Sequence, residues 1–140
     1  PETGVVKVLK LASAHDCGRA INPMLLNGQI EGGALTGLAY ALWEEVVFDG
    51  GRITNPSFMK YRIPSTVEAP NISPIIVEAE HHAGPFGAKG AGEASTIGVA
   101  AAVGNALFDA VKVRIKDLPL TWEKVLAALE KKADDDRKEA

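Results

Sequence analysis

The sequence of 140 residues has a single cysteine, Cys17, and no excess of basic side chains. One thiol excludes an intrachain disulfide framework and any cysteine-based zinc or iron–sulfur site within the chain. It also favours a reducing, cytoplasmic location. With 15 Lys and Arg against 18 Asp and Glu, the net charge of −3 provides no positive field for binding nucleic acid.

Long apolar runs are also missing. The longest uncharged stretch, residues 94–108, is interrupted by Gly98, Gly104 and Asn105, so we expect it not to span a membrane. No apolar segment stands at the N-terminus, and we expect no signal peptide. Even so, 46% of the residues are hydrophobic, and a largely disordered chain is excluded.

The chain opens with a turn and a strand-like run. Residues 1–4 (Pro-Glu-Thr-Gly) have turn chemistry, and residues 5–11 are rich in valine and leucine. Because a turn normally joins two strands, one interpretation is that a preceding strand is missing and the sequence is part of something larger. The other is an ordinary N-terminal tail, and the turn favours neither.

The rest of the pattern predicts an α+β fold. Asn22 and Pro23 are typical of a helix N-cap and first helical residue, and Thr121 is a candidate cap for a last helix. We predict a mixed sheet from strands near 5–14 and 75–79 and a hairpin at 46–54, packed by about three helices near 27–45, 93–112 and 121–132. Residues 1–130 are predicted to form one portion of a domain, and residues 131–140 a charged, solvated tail.

Four glycines fall within the first predicted helix, where each lowers helix stability by roughly 1 kcal/mol relative to alanine. Two explanations remain open. Another backbone packs closely against the helix, which is the commoner reason, or a large flat ligand lies on it. Gln29 stands among these glycines and could present its amide to such a ligand. The glycines are Gly28, Gly32, Gly33 and Gly37.

A second glycine-rich segment, residues 84–93, ends in a glutamate at the start of a predicted helix. Lys89 is followed by Gly90, so the segment is not a Walker A loop, and its spacing does not match a dinucleotide loop. Exposed backbone N–H groups can nevertheless approach a flat or anionic group closely. Glu93 itself is either a general base or a plain helix cap, and spacing does not decide between them.

Several segments, in one order along the chain, resemble the C-terminal part of the molybdenum-binding (molybdopterin-binding) subunit of the xanthine dehydrogenase and aldehyde oxidase family. No single segment carries the resemblance, but together they cover residues 1–130. The segments are 16–23 (DCGRAINP), 28–33 (GQIEGG), 61–64 (YRIP), 84–93 (GPFGAKGAGE) and 118–121 (LPLT).

The resemblance implies a molybdenum hydroxylase that adds water-derived oxygen to an aldehyde or N-heterocycle carbon. In that family the metal is held by a pterin dithiolene, so no protein side chain is assigned as a metal ligand. Glu93 matches the family's catalytic base, and Gln29 the glutamine that contacts the cofactor. The remaining cofactor-binding residues implied are Lys89, Gly90, Ala91 and Gly92.

The resemblance also implies partners. These are the remainder of the molybdenum-binding subunit, an iron–sulfur subunit and an FAD subunit, and the pterin forms include the cytosine dinucleotide. The substrate is a small molecule whose identity the residues do not specify. The competing hypothesis is a non-catalytic binding module that keeps the fold without the cofactor. A nucleotide-binding domain is disfavoured because both phosphate-loop patterns fail.

Overall fold

A computed structural model describes residues 2–139, and the predicted α+β class is confirmed. The chain divides into two compact units, each described by itself. The sheet unit comprises residues 8–38 and 69–99, and the hairpin unit comprises residues up to Lys7, 39–68 and those from Ala100 on. The elements are β1 (Lys10–Asp16), α1 (Pro23–Leu42), β2 (Phe48–Asp49), β3 (Arg52–Ile53), β4 (Asn71–Val77), α2 (Ala94–Ile97), α3 (Val99–Val111) and α4 (Trp122–Glu139).

The sheet unit is built on a parallel pair of strands. β1 pairs with β4 in a register that runs from Lys10 opposite Asn71 to Asp16 opposite Val77. Most of α1 lies in the same unit, and its residues Ile30, Ala34 and Leu38 are fully buried. This four-residue spacing places the apolar side chains on one helix face.

The start of α1 follows from its capping residue. The side-chain oxygen of Asn22 accepts a hydrogen bond from the backbone N–H of Leu25 at 3.1 Å, which satisfies a donor that the first turn leaves free. Pro23 is the first helical residue. The predicted cap is therefore confirmed, while the helix ends at Leu42, before the predicted end at residue 45.

The hairpin unit contains the predicted hairpin and the last helix. Gly50 and Gly51 join β2 to β3 with φ of 53° and 80°, a left-handed conformation that glycine adopts without steric penalty. Thr121 Oγ1 accepts a hydrogen bond from the backbone N–H of Lys124 at 3.4 Å, which confirms it as the cap of α4. α4 continues to Glu139 rather than ending near residue 132.

Two further details differ from the predicted fold. Within residues 2–139 the hairpin forms its own two-stranded sheet, so the predicted single mixed sheet is wrong. The first strand begins at Lys10 and not near residue 5. In the hairpin unit, Gly4 (φ 67°) packs so closely on α4 that a Cβ would lie 2.1 Å from the Trp122 carbonyl oxygen. Pro1, in the predicted opening turn, and Ala140, at the end of the predicted tail, lie outside the described residues.

The predicted second helix is divided into two. α2 and α3 meet at Gly98, so the expected interruption of the uncharged stretch occurs at this glycine. By length and composition alone, Ala94–Val111 would suffice to cross a membrane. The expectation that the uncharged stretch does not span one stays a prediction. The core helix of a soluble protein meets the same criterion, and Ser95, Val99 and Val103 are buried within the protein.

Candidate functional site

Asp16 ties together three segments at the end of β1. Its Oδ2 accepts a hydrogen bond from Lys89 Nζ at 2.5 Å, and its Oδ1 accepts from the backbone N–H groups of Gly18 at 3.0 Å and Ala79 at 3.3 Å. The hydrogen bond from the Lys89 ammonium, helped by the Gly18 N–H, lowers the pKa of Asp16 to about 2. The ionised carboxylate therefore anchors both the turn after β1 and the glycine-rich loop.

A short antiparallel contact joins the residues after β1 to this loop. Arg19 donates its backbone N–H to the Gly87 carbonyl, and Lys89 donates its own to the Cys17 carbonyl, both at 2.9 Å. Between them Gly18 has φ 59°, and a Cβ there would lie 2.2 Å from the Gly87 oxygen. Only glycine suits this position. Cys17 is 3% exposed, so its thiol is buried.

The loop itself begins with a single 3-10 turn, Pro85–Gly87. Phe86 has φ 54° and ψ 18°, a left-handed conformation that is uncommon for an aromatic residue, and its side chain is exposed. It stands at the rim of an open hollow of about 660 Å³. The hollow is also lined by Gly18, Arg19, residues 78–82, Gly84 and Gly87. His81 and His82 thus lie on the loop that lines this hollow.

The second half of the loop is unlike the first. A Cβ built on Gly90 or Gly92 would meet no atom within 4 Å, and neither residue has a positive φ. Gly28 and Gly32 on α1 share both properties. Nothing in the described part of the chain therefore requires glycine at these positions, and their backbones face open space.

The other two glycines of α1 are explained by close packing. A Cβ on Gly33 would lie 1.9 Å from Ser95 Oγ, and one on Gly37 would lie 2.6 Å from the Thr96 carbonyl oxygen and 2.8 Å from Val99 Cβ. α2 and the first residue of α3 thus occupy the space that the missing side chains leave. Of the two explanations considered for the helix glycines, close packing accounts for Gly33 and Gly37. A ligand lying on the helix stays a prediction for Gly28 and Gly32.

Glu93 is the residue immediately before α2. Its backbone carbonyl accepts a hydrogen bond from the Thr96 N–H at 3.0 Å, but its side chain makes no capping hydrogen bond. The carboxylate is exposed. Side-chain capping therefore does not account for Glu93.

Gln29 lies in the same part of the sheet unit. Its backbone carbonyl accepts a hydrogen bond from Ser95 Oγ at 3.4 Å, and Ser95 is 2% exposed. Because Ser95 is two residues after Glu93 in the chain, this contact places Gln29 beside α2. The Gln29 side chain remains exposed. The structure thus gathers Gln29, residues 89–92 and Glu93 in one unit. The ammonium of Lys89 is already engaged by Asp16.

Sequence reasoning assigned no role to Asp16. The signal that could have identified it is an aspartate two residues before a glycine at the end of a strand, the pattern of an Asx turn. The Asp16 carboxylate accepts the Gly18 N–H in just this way. The ion pair with Lys89 joins residues 73 positions apart, and no local pattern predicts such a contact.

Residues 1–70, half of the chain, match the family model of the molybdopterin cofactor-binding domain. The chain belongs to this family. The resemblance inferred from the ordered segments is thereby confirmed, and it extends beyond the matched half. The glycine-rich loop and Glu93 lie in the other half, which the comparisons with individual proteins cover.

The chain has relatives among oxidoreductase subunits. It is 40% identical over 91% of its length to the 6-hydroxypseudooxynicotine dehydrogenase complex subunit gamma of Paenarthrobacter nicotinovorans. It is 36% identical over 83% of its length to the xanthine dehydrogenase molybdenum-binding subunit of Escherichia coli O157:H7. The chain covers 16% of the length of each of these relatives.

A solved structure supports the same assignment. The aldehyde oxidoreductase of Desulfovibrio gigas superposes with a TM-score of 0.83 at 34% identity, over 91% of this chain and 14% of that protein. The fold is therefore that of the C-terminal part of the molybdopterin-binding domain of molybdenum hydroxylases, as the ordered segments indicated.

Proposed function

We propose that this chain supplies the general base and part of the cofactor wall of a molybdenum hydroxylase. The enzyme would add water-derived oxygen to a carbon of an aldehyde or N-heterocycle. The observation that carries the proposal is the exposed Glu93 carboxylate, free of side-chain capping, directly after two glycines whose backbones face open space. Relatives that are molybdenum-binding subunits support it.

The loop has the surface that a flat pterin needs. Gly90 and Gly92 present backbone that no side chain covers, with Ala91 between them, and Gly28 and Gly32 offer open backbone on α1. Backbone groups without a Cβ allow close approach of a planar ligand. When bound, the molybdenum cofactor supplies the oxidation chemistry, which no side chain of this chain can provide.

The residues of the loop have different proposed roles. Lys89 holds the loop, because its ammonium is paired with Asp16 and its N–H is donated to Cys17. Residues 90–92 then face the cofactor, and the exposed Gln29 amide is available to contact it from α1. Glu93 accepts the proton of the water-derived hydroxyl on a carboxylate oxygen, the role of a general base.

The same proposal implies a larger complex. The chain would work in the cytoplasm with the remainder of the molybdenum-binding subunit, an iron–sulfur subunit and an FAD subunit. The names of relatives, which include a complex subunit gamma and a large chain, support a multi-subunit assembly. The cytosine dinucleotide is one of the pterin forms to be tested by extraction of the cofactor.

The first measurement is the molybdenum content of the tagged chain, purified from a host that also makes its neighbouring genes. Near-stoichiometric metal with larger co-purifying chains supports the hydroxylase. A well-folded chain with no metal and no partner overturns it in favour of a non-catalytic module.

The decisive variant is Glu93→Gln in the assembled enzyme. Loss of a general base is expected to lower turnover by roughly 10²- to 10⁴-fold while the molybdenum content stays unchanged. Glu123→Gln is the matched control, because Glu123 is exposed and, like Glu93, lies at the start of a helix. Turnover of Glu93→Gln close to that of this control would refute the assignment of the base.

A further inference from the structure

The glycine-rich loop does not by itself fix the position of Glu93. Lys89, four residues earlier, is held by the Asp16 carboxylate and the Cys17 carbonyl. Between Lys89 and Glu93, residues 90–92 make no hydrogen bond within the part of the chain that the structure describes. A glycine-rich stretch without hydrogen bonds leaves the backbone many conformations. The position of the Glu93 carboxylate therefore depends on the residues that follow it.

Helix α2 begins directly after Glu93. The Glu93 carbonyl accepts the Thr96 N–H at 3.0 Å, so the proposed base is joined to the first turn of this helix. Of the four residues of α2, Ser95 is the buried one, with 2% of its surface exposed. A helix this short has little stability of its own. The position of α2, and with it that of Glu93, is therefore set by packing against α1.

Ser95 lies in a notch that Gly33 leaves on α1. A Cβ at position 33 would lie 1.9 Å from Ser95 Oγ and 3.1 Å from Ser95 Cβ, so Ser95 occupies the space of the missing side chain. The Ser95 hydroxyl also donates a hydrogen bond to the Gln29 carbonyl at 3.4 Å. Gln29 and Gly33 are four residues apart, about one helical turn, and lie on the same face of α1. Ser95 thus contacts the very turn of α1 that carries Gln29.

Space alone does not explain a serine at position 95. Alanine has the same Cβ and would fit the notch without burying a polar group, whereas a buried hydroxyl is costly unless it is hydrogen-bonded. The Ser95 hydroxyl has such a bond to the Gln29 backbone, and this bond ties α2 to one turn of α1. It therefore joins the residue that we propose to contact the cofactor to the segment that carries the proposed base.

We propose that Ser95 is a positioning residue for catalysis, whose hydroxyl holds Glu93 at a fixed distance from Gln29 and hence from the cofactor. The inference rests on the proposed function, which assigns the base and the cofactor contact. Because Ser95 is buried between α2 and α1, it acts through Glu93 and not on the substrate. A general base must lie within hydrogen-bond reach of the proton that it accepts, so a small displacement of α2 is expected to lower turnover without weakening substrate binding.

Ser95→Ala in the molybdenum-containing complex tests this role, with the aldehyde or N-heterocycle from a panel that the natural complex oxidises fastest. The variant is expected to lower kcat per molybdenum roughly 10- to 100-fold, with KM and molybdenum content unchanged. The solvent deuterium isotope effect on kcat is expected to rise, because proton transfer to a misplaced carboxylate is slower. Loss of folded enzyme would not change this isotope effect.

Ser13→Ala is the matched control. Ser13 is also buried in the sheet unit, and its hydroxyl forms a hydrogen bond with His15 Nε2 at 2.8 Å. The control therefore removes a buried, hydrogen-bonded hydroxyl that has no contact with α2 or Gln29. It is expected to keep the natural kcat and isotope effect.

Two variants at the notch separate positioning from the filling of space. Gly33→Ala drives a Cβ into Ser95 Oγ, so it is expected to lower both the Tm of the complex and its kcat. Adding Ser95→Ala removes this collision, and the nearest remaining atom is the Cβ at position 95, at 3.1 Å. The double variant is therefore expected to regain most of the Tm but not the kcat. Recovery of kcat together with Tm would show that Ser95 only fills space and would overturn the proposal.

Glu93→Gln, measured in the same complex, distinguishes failure of this inference from failure of the proposed function. If Glu93→Gln loses turnover and Ser95→Ala matches Ser13→Ala, the positioning role is overturned and the proposed function stands. If kcat and molybdenum content fall together in Ser95→Ala with an unchanged isotope effect, Ser95 serves folding or cofactor loading, and the positioning role is again overturned. Full turnover of Glu93→Gln, or failure to obtain any molybdenum-containing complex, overturns both.

Discussion

Gly37 and Gly32 lie in the interior of the same helix, yet their surroundings are opposite. A Cβ on Gly37 would collide with the Thr96 carbonyl and with Val99, whereas one on Gly32 would touch nothing within 4 Å. Both glycines lower the intrinsic stability of α1 by a similar amount. Packing inside the chain therefore explains Gly37 and does not explain Gly32.

The glycine-rich loop shows the same contrast. Its first half is held by Asp16 and Cys17 through Lys89, and its second half presents Gly90 and Gly92 to open space. This arrangement suits a binding surface, because backbone that no side chain covers must be held in one position to contact a ligand. The contrast separates the glycines that packing explains from those for which we propose a role beside the cofactor.

The largest effect on stability is expected at Gly37, where neighbouring atoms leave no room for a Cβ. Gly37→Ala forces a Cβ against the backbone of Thr96, which can move only if α2 moves. Overpacking of this kind destabilises by about 1–3 kcal/mol, even after the helix propensity of alanine is counted. Urea unfolding of the chain measures it, and an unchanged midpoint would show that this face is not closed.

An intermediate effect on stability is expected at Asp16, which holds the glycine-rich loop through Lys89. Asp16→Asn removes the ion pair with Lys89, so the variant is expected to unfold at a lower temperature than the natural chain at pH 7. The folded pKa of Asp16, about 2, lies below the usual 3.8, so its contribution is complete above about pH 4 and is lost as the pH falls toward about 2.

Thermal unfolding at pH 7, 4 and 2 checks this dependence. The difference in Tm between Asp16→Asn and the natural chain is expected to shrink across the acidic range and to be smallest at pH 2. High salt is expected to reduce the difference at pH 7, because the pair is partly exposed. A difference that is independent of pH would show that Asp16 stabilises through its shape and not its charge.

The smallest effect on stability is expected at Gly32, where a Cβ would meet no atom within 4 Å. This effect has the opposite sign. Gly32→Ala places a Cβ in empty space and is expected to stabilise the chain by about 0.4–1 kcal/mol. The second measurement on this variant is the molybdenum content of the assembled enzyme. It is expected to fall if the uncovered backbone contacts the cofactor or the groups beside it. A destabilised Gly32→Ala chain would remove the distinction between the two faces of α1.

Much of the fold could be predicted because its signals are local. The Asn22 cap, the Thr121 cap and the Gly50–Gly51 turn each depend on residues within a few positions, and all three are confirmed. The sheet could not be predicted in the same way. Strand pairing depends on contacts between residues about 60 positions apart, so the hairpin was wrongly assigned to the same sheet as β1 and β4.

For the candidate site, the sequence by itself determined the residue types and their order: an acid after a glycine-rich loop, and a glutamine among helix glycines. That order was sufficient to identify the family. Only the tertiary structure decided which glycines are closed, that Asp16 holds Lys89, and that Glu93 does not cap its helix through its side chain. These properties depend on contacts between segments that are far apart in the sequence, and local residue spacing does not determine such contacts.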